Sequence, residues 1–404
     1  MESVNQSAIQ KLWARLVRQP AALGGAAILA VLAWQAVTVH FNYQGNYTAL
    51  FRTGAQWELP PELAGGTYRF AGTPGYDGQF YRLVAHDPWL AASYARYADS
   101  PTVRWRRILV PAAAWLLAAG VARWIDFTYM LVLLLCYGLG VYALSRWLVL
   151  HGRNPAGGLL FLLLPGTLIC IDRQTVDVAL YTLLFLCLAW DEEGKDKALW
   201  LGLALCALTR DVGLLVIGAF VLAEASAYRF RRAAFLLTAT LPVVTWYFWL
   251  RMTLVAMPGI RPPPLAVQWL FRHIGYGLFQ RMLNPAHYNL PGVWNWVVVA
   301  LDQFALAAMF AGVVLTFVFF RRRQADKLEW VGLLFAVLYF AVSNRAFWID
   351  TYSWPRAFTP MFAALALGAA GTARRWLWLP TAAVVVRVGL EFGSQLLGVA
   401  QALR

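Results

Sequence analysis

The sequence predicts an all-α polytopic membrane protein, and three observations carry that prediction. Of 404 residues 60% are hydrophobic and only 13% charged, where soluble domains carry about a quarter charged residues. The apolar residues are gathered into successive runs that a hydropathy window reads as roughly ten to twelve transmembrane or re-entrant helices. The 34 Lys and Arg outnumber the 20 Asp and Glu, for a net charge of +14, and most of the basic residues lie between the runs rather than in them. That distribution points to the positive-inside rule and to anionic head groups or phosphates. No RNP motif, zinc-finger spacing or basic low-complexity arm supports nucleic acid as a partner.

Taken in order, residues 1–41 read as a cytoplasmic N-terminus followed by the first transmembrane helix. Lys11, Arg15 and Arg18 precede an apolar run from Ala21 to Phe41. That start resembles a signal peptide, but the run is long enough to span and no small-residue cleavage site follows it. Residues 42–106, rich in Gly, Pro and aromatics and holding Glu58, Glu62, Asp77, Asp87 and Asp99, form a first outer loop with interfacial helices. Residues 107–250 form a helical core, 251–291 a second outer loop, and 292–404 a C-terminal helical bundle. The clusters Arg229/Arg231/Arg232, Arg321 to Arg323 with Lys327, and Arg374/Arg375 mark cytoplasmic loops.

Alternating the runs between these loops leaves one crossing too many. The 108 to 122 run is the candidate for a re-entrant segment, because about 15 residues at 1.5 Å each fall short of a hydrocarbon core of about 30 Å. Polar breaks at Asp172 to Asp177 and at Thr209 to Asp211 are tolerated at membrane depth only where they line protein or a watery cavity, so a cavity opening to the outer face is expected. Cys136, Cys170, Cys187 and Cys206 lie inside apolar runs without a CxxC pair and read as core residues.

The most informative segment is Gly75-Tyr76-Asp77-Gly78-Gln79-Phe80-Tyr81-Arg82, followed by Ala85-His86-Asp87-Pro88 and Arg104-Trp105-Arg106-Arg107-Ile108-Leu109-Val110-Pro111. This order resembles the first outer loop of GT-C membrane glycosyltransferases. It is closest to bacterial relatives of the mannosyltransferases that build GPI anchors. Echoes occur at Leu164-Pro165-Gly166, at Leu208-Thr209-Arg210-Asp211-Val212-Gly213 and at Trp354-Pro355-Arg356. The resemblance covers about the first 215 residues and implies a GT-C-like fold. It also implies transfer of a sugar from a polyprenyl-phosphate donor to a hydroxyl acceptor on a glycan, lipid or protein, with inversion. The implied setting is a bacterial inner membrane with the site facing the periplasm and membrane lipids around it. The family's first-loop acidic residue, its general base, maps onto Asp77.

The residues themselves leave alternatives beside these roles. Asp77 in a Gly-flanked turn can approach an acceptor hydroxyl and take its proton, or it can cap a short helix beginning at Gly78. Asp87, before Pro88, either orients the acceptor or a divalent cation, or simply closes an Asx-type turn. No metal or other cofactor is indicated, since two acids without a third ligand make weak grounds for a divalent cation.

A departing lipid phosphate calls for preorganised cations. Arg104 and Arg107 share a helical face, and Arg210, Arg345 and Arg356 sit at outer helix ends; the bland account of each is snorkelling to head groups. Asp172 and Asp177 either line the cavity and bond sugar hydroxyls or pair with Arg210. Tyr76 and Tyr81, with Gln79 between them, are placed to contact substrate or to anchor an interfacial helix. His273 in the second outer loop is a further phosphate candidate, although its spacing from His287 matches no zinc motif. No Walker loop, dinucleotide fingerprint or GxSxG elbow is present. The competing class is a transporter or lipid flippase with a charged intramembrane path through Asp172, Asp177, Arg210 and Asp302.

Overall fold

Apolar surroundings offer the backbone no hydrogen-bonding partner, so each segment must satisfy its own N–H and C=O groups, which a helix does. The computed structural model of the chain describes residues 19–258, 260, 276–288, 290–320, 326–342, 345–370 and 374–404. Among these residues the structure is helical, and paired extended backbone is confined to two isolated bridges, Thr53 with Gly75 and Gly54 with Phe70.

Helix α1, Pro20–Asn42, opens with a proline at its first position, where the missing N–H costs nothing. The first loop carries two short helices that matter to the site, α2 (Asp77–His86) and α3 (Pro101–Arg106). They lead into α4 (Leu109–Leu117) and α5 (Ala122–Leu150). A tight 3-10 stretch, Pro155–Leu163, is bent by 59° from α6, Pro165–Arg173. Then follow α7 (Asp177–Glu192), α8 (Asp196–Thr209), α9 (Gly213–Ser226) and the run α10 (Phe230–Ala256), which includes one 3-10 turn. The C-terminal part contains α11 (Tyr276–Leu283), α12 (Val293–Phe319), α13 (Lys327–Ala341), α14 (Arg345–Ile349), α15 (Ser353–Ala370) and the broken run α16 (Arg375–Ala402).

Five of these, α1, α5, α10, α12 and α16, are long and apolar enough to cross a membrane, and the bent pair makes a sixth if it counts as one span. The ten to twelve helices expected from hydropathy thus reduce to five or six of spanning length. The remaining apolar runs are helical where they were read, but α7, α8, α9 and α13 have only 14 to 16 residues. A helix of 14 residues reaches about 21 Å, short of a core of about 30 Å. The 108 to 122 segment does not span either. Its helix has nine residues and turns back through Ala119 and Gly120, both at positive φ. The first loop and the start of α5 therefore share one end of the molecule, where Arg82 and His86 of α2 both reach Asp126 of α5.

Charged side chains collect in two layers separated by an apolar core built around Tyr129, Tyr137, Phe161, Phe185 and Phe362. At the end away from the first loop, Lys327 meets Asp191 at 2.8 Å and Glu224 at 3.0 Å, and Arg146 meets Glu193 at 2.6 Å. Between the layers α1 and α5 pack closely. A Cβ on Gly24 would lie 2.7 Å from the carbonyl oxygen of Gly138, so only glycine permits that approach. The four cysteines are unpaired and three of them are buried, as the sequence indicated.

Asp302, charged in the middle of an apolar run, is held from three sides. Arg281 of α11 pairs with it at 2.8 Å, Arg387 of α16 pairs with its other oxygen, and the Tyr288 hydroxyl donates to it. Removing one partner of a buried pair leaves an uncompensated charge and costs about 3 kcal/mol or more. Asp302→Asn should therefore lower the melting temperature of the detergent-solubilised protein, and replacing Asp302, Arg281 and Arg387 together by apolar residues should recover most of the loss. A wild-type melting temperature for Asp302→Asn would contradict this account.

A carboxylate held between guanidinium groups at the first-loop end

The turn that carries Asp77 is constrained by glycines. Gly75 has φ +74, and a Cβ there would lie 2.3 Å from the carbonyl oxygen of Arg52. The amide of Tyr76 donates to that same oxygen at 2.9 Å. Gly78 lets the start of α2 sit against the end of α6, since a Cβ on it would meet the carbonyl oxygen of Arg173 at 2.3 Å. The helix begins at Asp77 itself, with Tyr76 at the cap position and no side-chain cap bond. The capping alternative for Asp77 therefore fails, and its carboxylate is free for other partners.

Those partners are two arginines from distant parts of the chain. Arg104 of α3 reaches one oxygen at 2.9 Å and Arg356 of α15 the other at 2.7 Å. Arg104 is itself gripped by Asp99 through two bonds of 2.8 and 2.6 Å. Arg356 continues to Asp177 at 3.1 Å, and Asp177 also contacts Arg210. The result is a chain of alternating charge, Asp99, Arg104, Asp77, Arg356, Asp177 and Arg210, drawn from the first loop and from α7, α8 and α15.

Arg107 stands beside this chain with less to hold it. It donates to the Tyr81 hydroxyl, and its Nε approaches Asp211 only to 3.9 Å. That buried Nε has no hydrogen-bond partner among the described residues. Burial by itself would push the Asp77 pKa up, but Arg104, Arg356 and Arg107 override it and hold the carboxyl well below the usual carboxylate range. Burial disfavours the charge on Arg104, and Asp77 with Asp99 restores it and raises its pKa.

The other residues singled out in the sequence fall into three groups. Tyr76 belongs with the charge chain. Its ring lies 5.0 Å beneath the Arg356 guanidinium and its hydroxyl donates to Asp350 at 3.0 Å. Tyr81 is buried and receives the bond from Arg107. Gln79 instead latches the turn, accepting from the Gly54 amide at 3.1 Å and donating to the Pro74 carbonyl at 2.7 Å.

Asp87 accepts the amides of Ala92 and Tyr94, each at 3.0 Å, so it closes a turn as the plainer reading held. No described contact joins Asp87 to Asp77. Asp172 is committed to Arg52 at 2.9 Å, Arg173 at 2.8 Å and Gln395, so the pairing expected with Arg210 belongs to Asp177 alone. Arg281, from the second outer loop, serves Asp302. His273 and the Arg345 side chain lie outside the described residues.

Sequence reasoning passed over Asp350, two residues from Tyr352 and close to the Trp354-Pro355-Arg356 echo, and it named Asp99 only as a loop acid. Among the described residues no group of three or more His, Cys, Asp and Glu is arranged to hold a metal ion. The expected hollow at this end is not among the three cavities described, of about 370, 510 and 360 Å³, which are lined by other residues. The guanidinium groups on either side of Asp77 are themselves packed on the Phe80 and Tyr76 rings, and the Asp77 side chain is left partly exposed.

A carboxylate whose folded pKa is depressed contributes stability above its unfolded pKa, and that contribution fades as pH falls toward the folded value. Asp77 should stay ionised at pH 3.8, where an unperturbed aspartate is half protonated. Infrared difference spectra of wild type against Asp77→Asn should show no protonated Asp77 band between pH 7 and about pH 4. A band growing in with a midpoint near pH 4 would refute the double pairing.

Comparison of the chain with protein-family models, with curated proteins and with solved structures found no match, so the chemistry of these side chains is what bears on function.

Proposed function

We propose that the chain is an integral-membrane glycosyltransferase of the GT-C type. It would transfer a sugar from a polyprenyl-phosphate donor to a hydroxyl acceptor, on a glycan, lipid or protein, at the periplasmic face of a bacterial inner membrane. One observation carries the reading: an ionised first-loop carboxylate lies against guanidinium groups brought from α3 and α15, with two more at the end of α8 and beside α3. A base and a phosphate cradle are the two things that such a transfer needs in one place.

The proposed step is a single displacement. The acceptor hydroxyl gives its proton to Asp77 as its oxygen bonds to the anomeric carbon. The bond from that carbon to the carrier phosphate breaks, and its electron pair leaves on the phosphate oxygen. Arg107, whose Nε is unsatisfied, and Arg356 and Arg210, which share Asp177, are placed to take the growing negative charge.

The double pairing imposes a condition on this step. A carboxylate held far below its usual pKa is a poor proton acceptor, and Brønsted behaviour favours a base whose pKa lies nearer the working pH. The donor phosphate must therefore draw one guanidinium away from Asp77, which raises the proton affinity of the carboxylate as the donor arrives. Binding and activation of the base would then be one event. The transporter reading rested most on Asp302, and pairing with Arg281, Arg387 and Tyr288 accounts for that residue without a charged path.

The purified protein, incubated with a panel of radiolabelled polyprenyl-phosphate sugars and a membrane extract, should form a labelled product with at least one donor. Asp77→Asn should lower the rate by about a hundredfold or more while leaving the protein folded. Arg107→Gln should lower kcat as well as raise the KM for the donor, because it removes a contact to the bound phosphate that strengthens as negative charge grows there. Full turnover by Asp77→Asn removes the base assignment. Solute flux across proteoliposomes with no covalent product would select the transporter instead.

A further inference from the structure

At the end of the molecule away from Asp77, two cavities of about 510 and 360 Å³ adjoin each other. They share Leu160, Leu164 and Ala366 as a common wall. The first lies between the Pro155–Leu163 stretch and α16 and reaches Trp378, Val385 and Val386. The second lies between the same stretch and α5 and reaches Leu144, Leu148 and Phe185. The local cause is the 3-10 stretch itself. Nine residues at about 2.0 Å each cover roughly 18 Å, and the 59° bend that follows leaves its flanks unfilled. Leu159, Leu160 and Leu163 are 40%, 54% and 52% exposed, so this face is turned outward and covered by apolar side chains.

Each cavity also carries one arginine, Arg375 in the first and Arg153 in the second. Among the described residues neither pairs with a carboxylate. Arg375 is exposed, and Arg153 donates only to the carbonyl oxygen of Leu367, at 3.1 Å. The remaining polar lining is modest, and the Thr381 hydroxyl already donates to the Phe362 carbonyl. The same end bears Arg229, Arg231, Arg232 and Arg374, and positive-inside bias assigns it to the cytoplasm, where basic pockets between helices recruit anionic lipid.

We infer that this paired crevice is a binding site for one anionic two-chain phospholipid of the inner leaflet. One acyl chain would lie on each side of the Leu160, Leu164 and Ala366 wall, with the phosphate between Arg153 and Arg375. Two slots with a shared wall match two chains on one head group, and two cations without carboxylates match its negative charge. The inference stands apart from the glycosyltransferase reading, because it uses none of the residues around Asp77.

The test uses the full chain purified in a non-ionic detergent, stripped of lipid, and offered equal phosphatidylglycerol and phosphatidylcholine, with retained lipid counted by native mass spectrometry. One phosphatidylglycerol should be retained about thirtyfold over phosphatidylcholine, whose choline cancels its phosphate charge, since two arginines near an uncompensated anionic head group contribute about 1 kcal/mol each. Arg375→Gln, at an exposed position, and Arg153→Gln should each cut that preference toward unity. Ala366→Trp, which fills the shared wall, should displace the lipid while circular dichroism stays helical. Equal retention of the two lipids overturns the inference, as does a preference that survives both arginine changes. Retention of a one-chain lipid phosphate as strong as that of phosphatidylglycerol overturns the two-chain assignment, and the exposed Arg375→Gln decides the charge claim even if Ala366→Trp fails to fold.

Discussion

The ion pairs that Asp77 makes with Arg104 and Arg356 tie together three parts of the chain that lie far apart in sequence. Residue 77 lies in the first loop, residue 104 at the entry to the core and residue 356 at the start of α15. A half-buried carboxylate with one guanidinium on each oxygen is satisfied, and a buried guanidinium with a carboxylate on either side is satisfied too. Each member would be costlier alone, so the alternating series from Asp99 to Arg210 is mutually supporting. The glycines at 54, 75 and 78 serve that set, because they let the Asp77 turn lie directly on the backbone of Arg52, Pro74 and Arg173.

The same economy appears elsewhere in the molecule. Asp302 is met by Arg281 and Arg387, Asp172 by Arg52 and Arg173, and Asp191 and Glu224 by Arg232 and Lys327. The Asp172 cluster and the Asp191 and Glu224 cluster occupy ends of helices too short to span, while Asp302 lies inside α12, and in each case charge is protected by protein rather than by water. What separates the Asp77 cluster from the rest is a buried cation beside it with no close carboxylate of its own. Arg107 has a hydroxyl and a distant carboxylate where its neighbours have close ion pairs, and such a cation is an invitation to an anion.

Much of this was legible in the sequence, for reasons that differ by element. The apolar runs placed α1, α5, α12 and α16 to within a few residues, because a lipid-facing helix must be apolar along its whole length. The overcounted crossing at 108 to 122 was legible as well, since a short run cannot reach across. The runs behind α7, α8, α9 and α13 were legible as short in the same way, and each helix ends within a few residues of its apolar run. Asp77, Arg104, Arg107 and Arg356 could be picked out by motif, and Asp177 by its place at a polar break. Asp87 was legible as a turn former, since the amides it accepts lie five and seven residues on, but that Arg356 would find Asp77 across 279 residues depends on register between distant segments that no local pattern encodes. Asp350 and Asp99 were missed for the same reason, since a single acid beside a turn looks like any other.

The central claim is that the cations around Asp77 exist to receive a phosphate and that its arrival releases the carboxylate. A structure of the full-length protein with a polyprenyl-phosphate sugar bound in a lipid nanodisc tests this most directly, through the distances from Asp77 to Arg104 and Arg356. The account predicts phosphate density at Arg107 with at least one of those two ion pairs opened beyond contact. Both pairs intact, with the phosphate bound elsewhere, would contradict it.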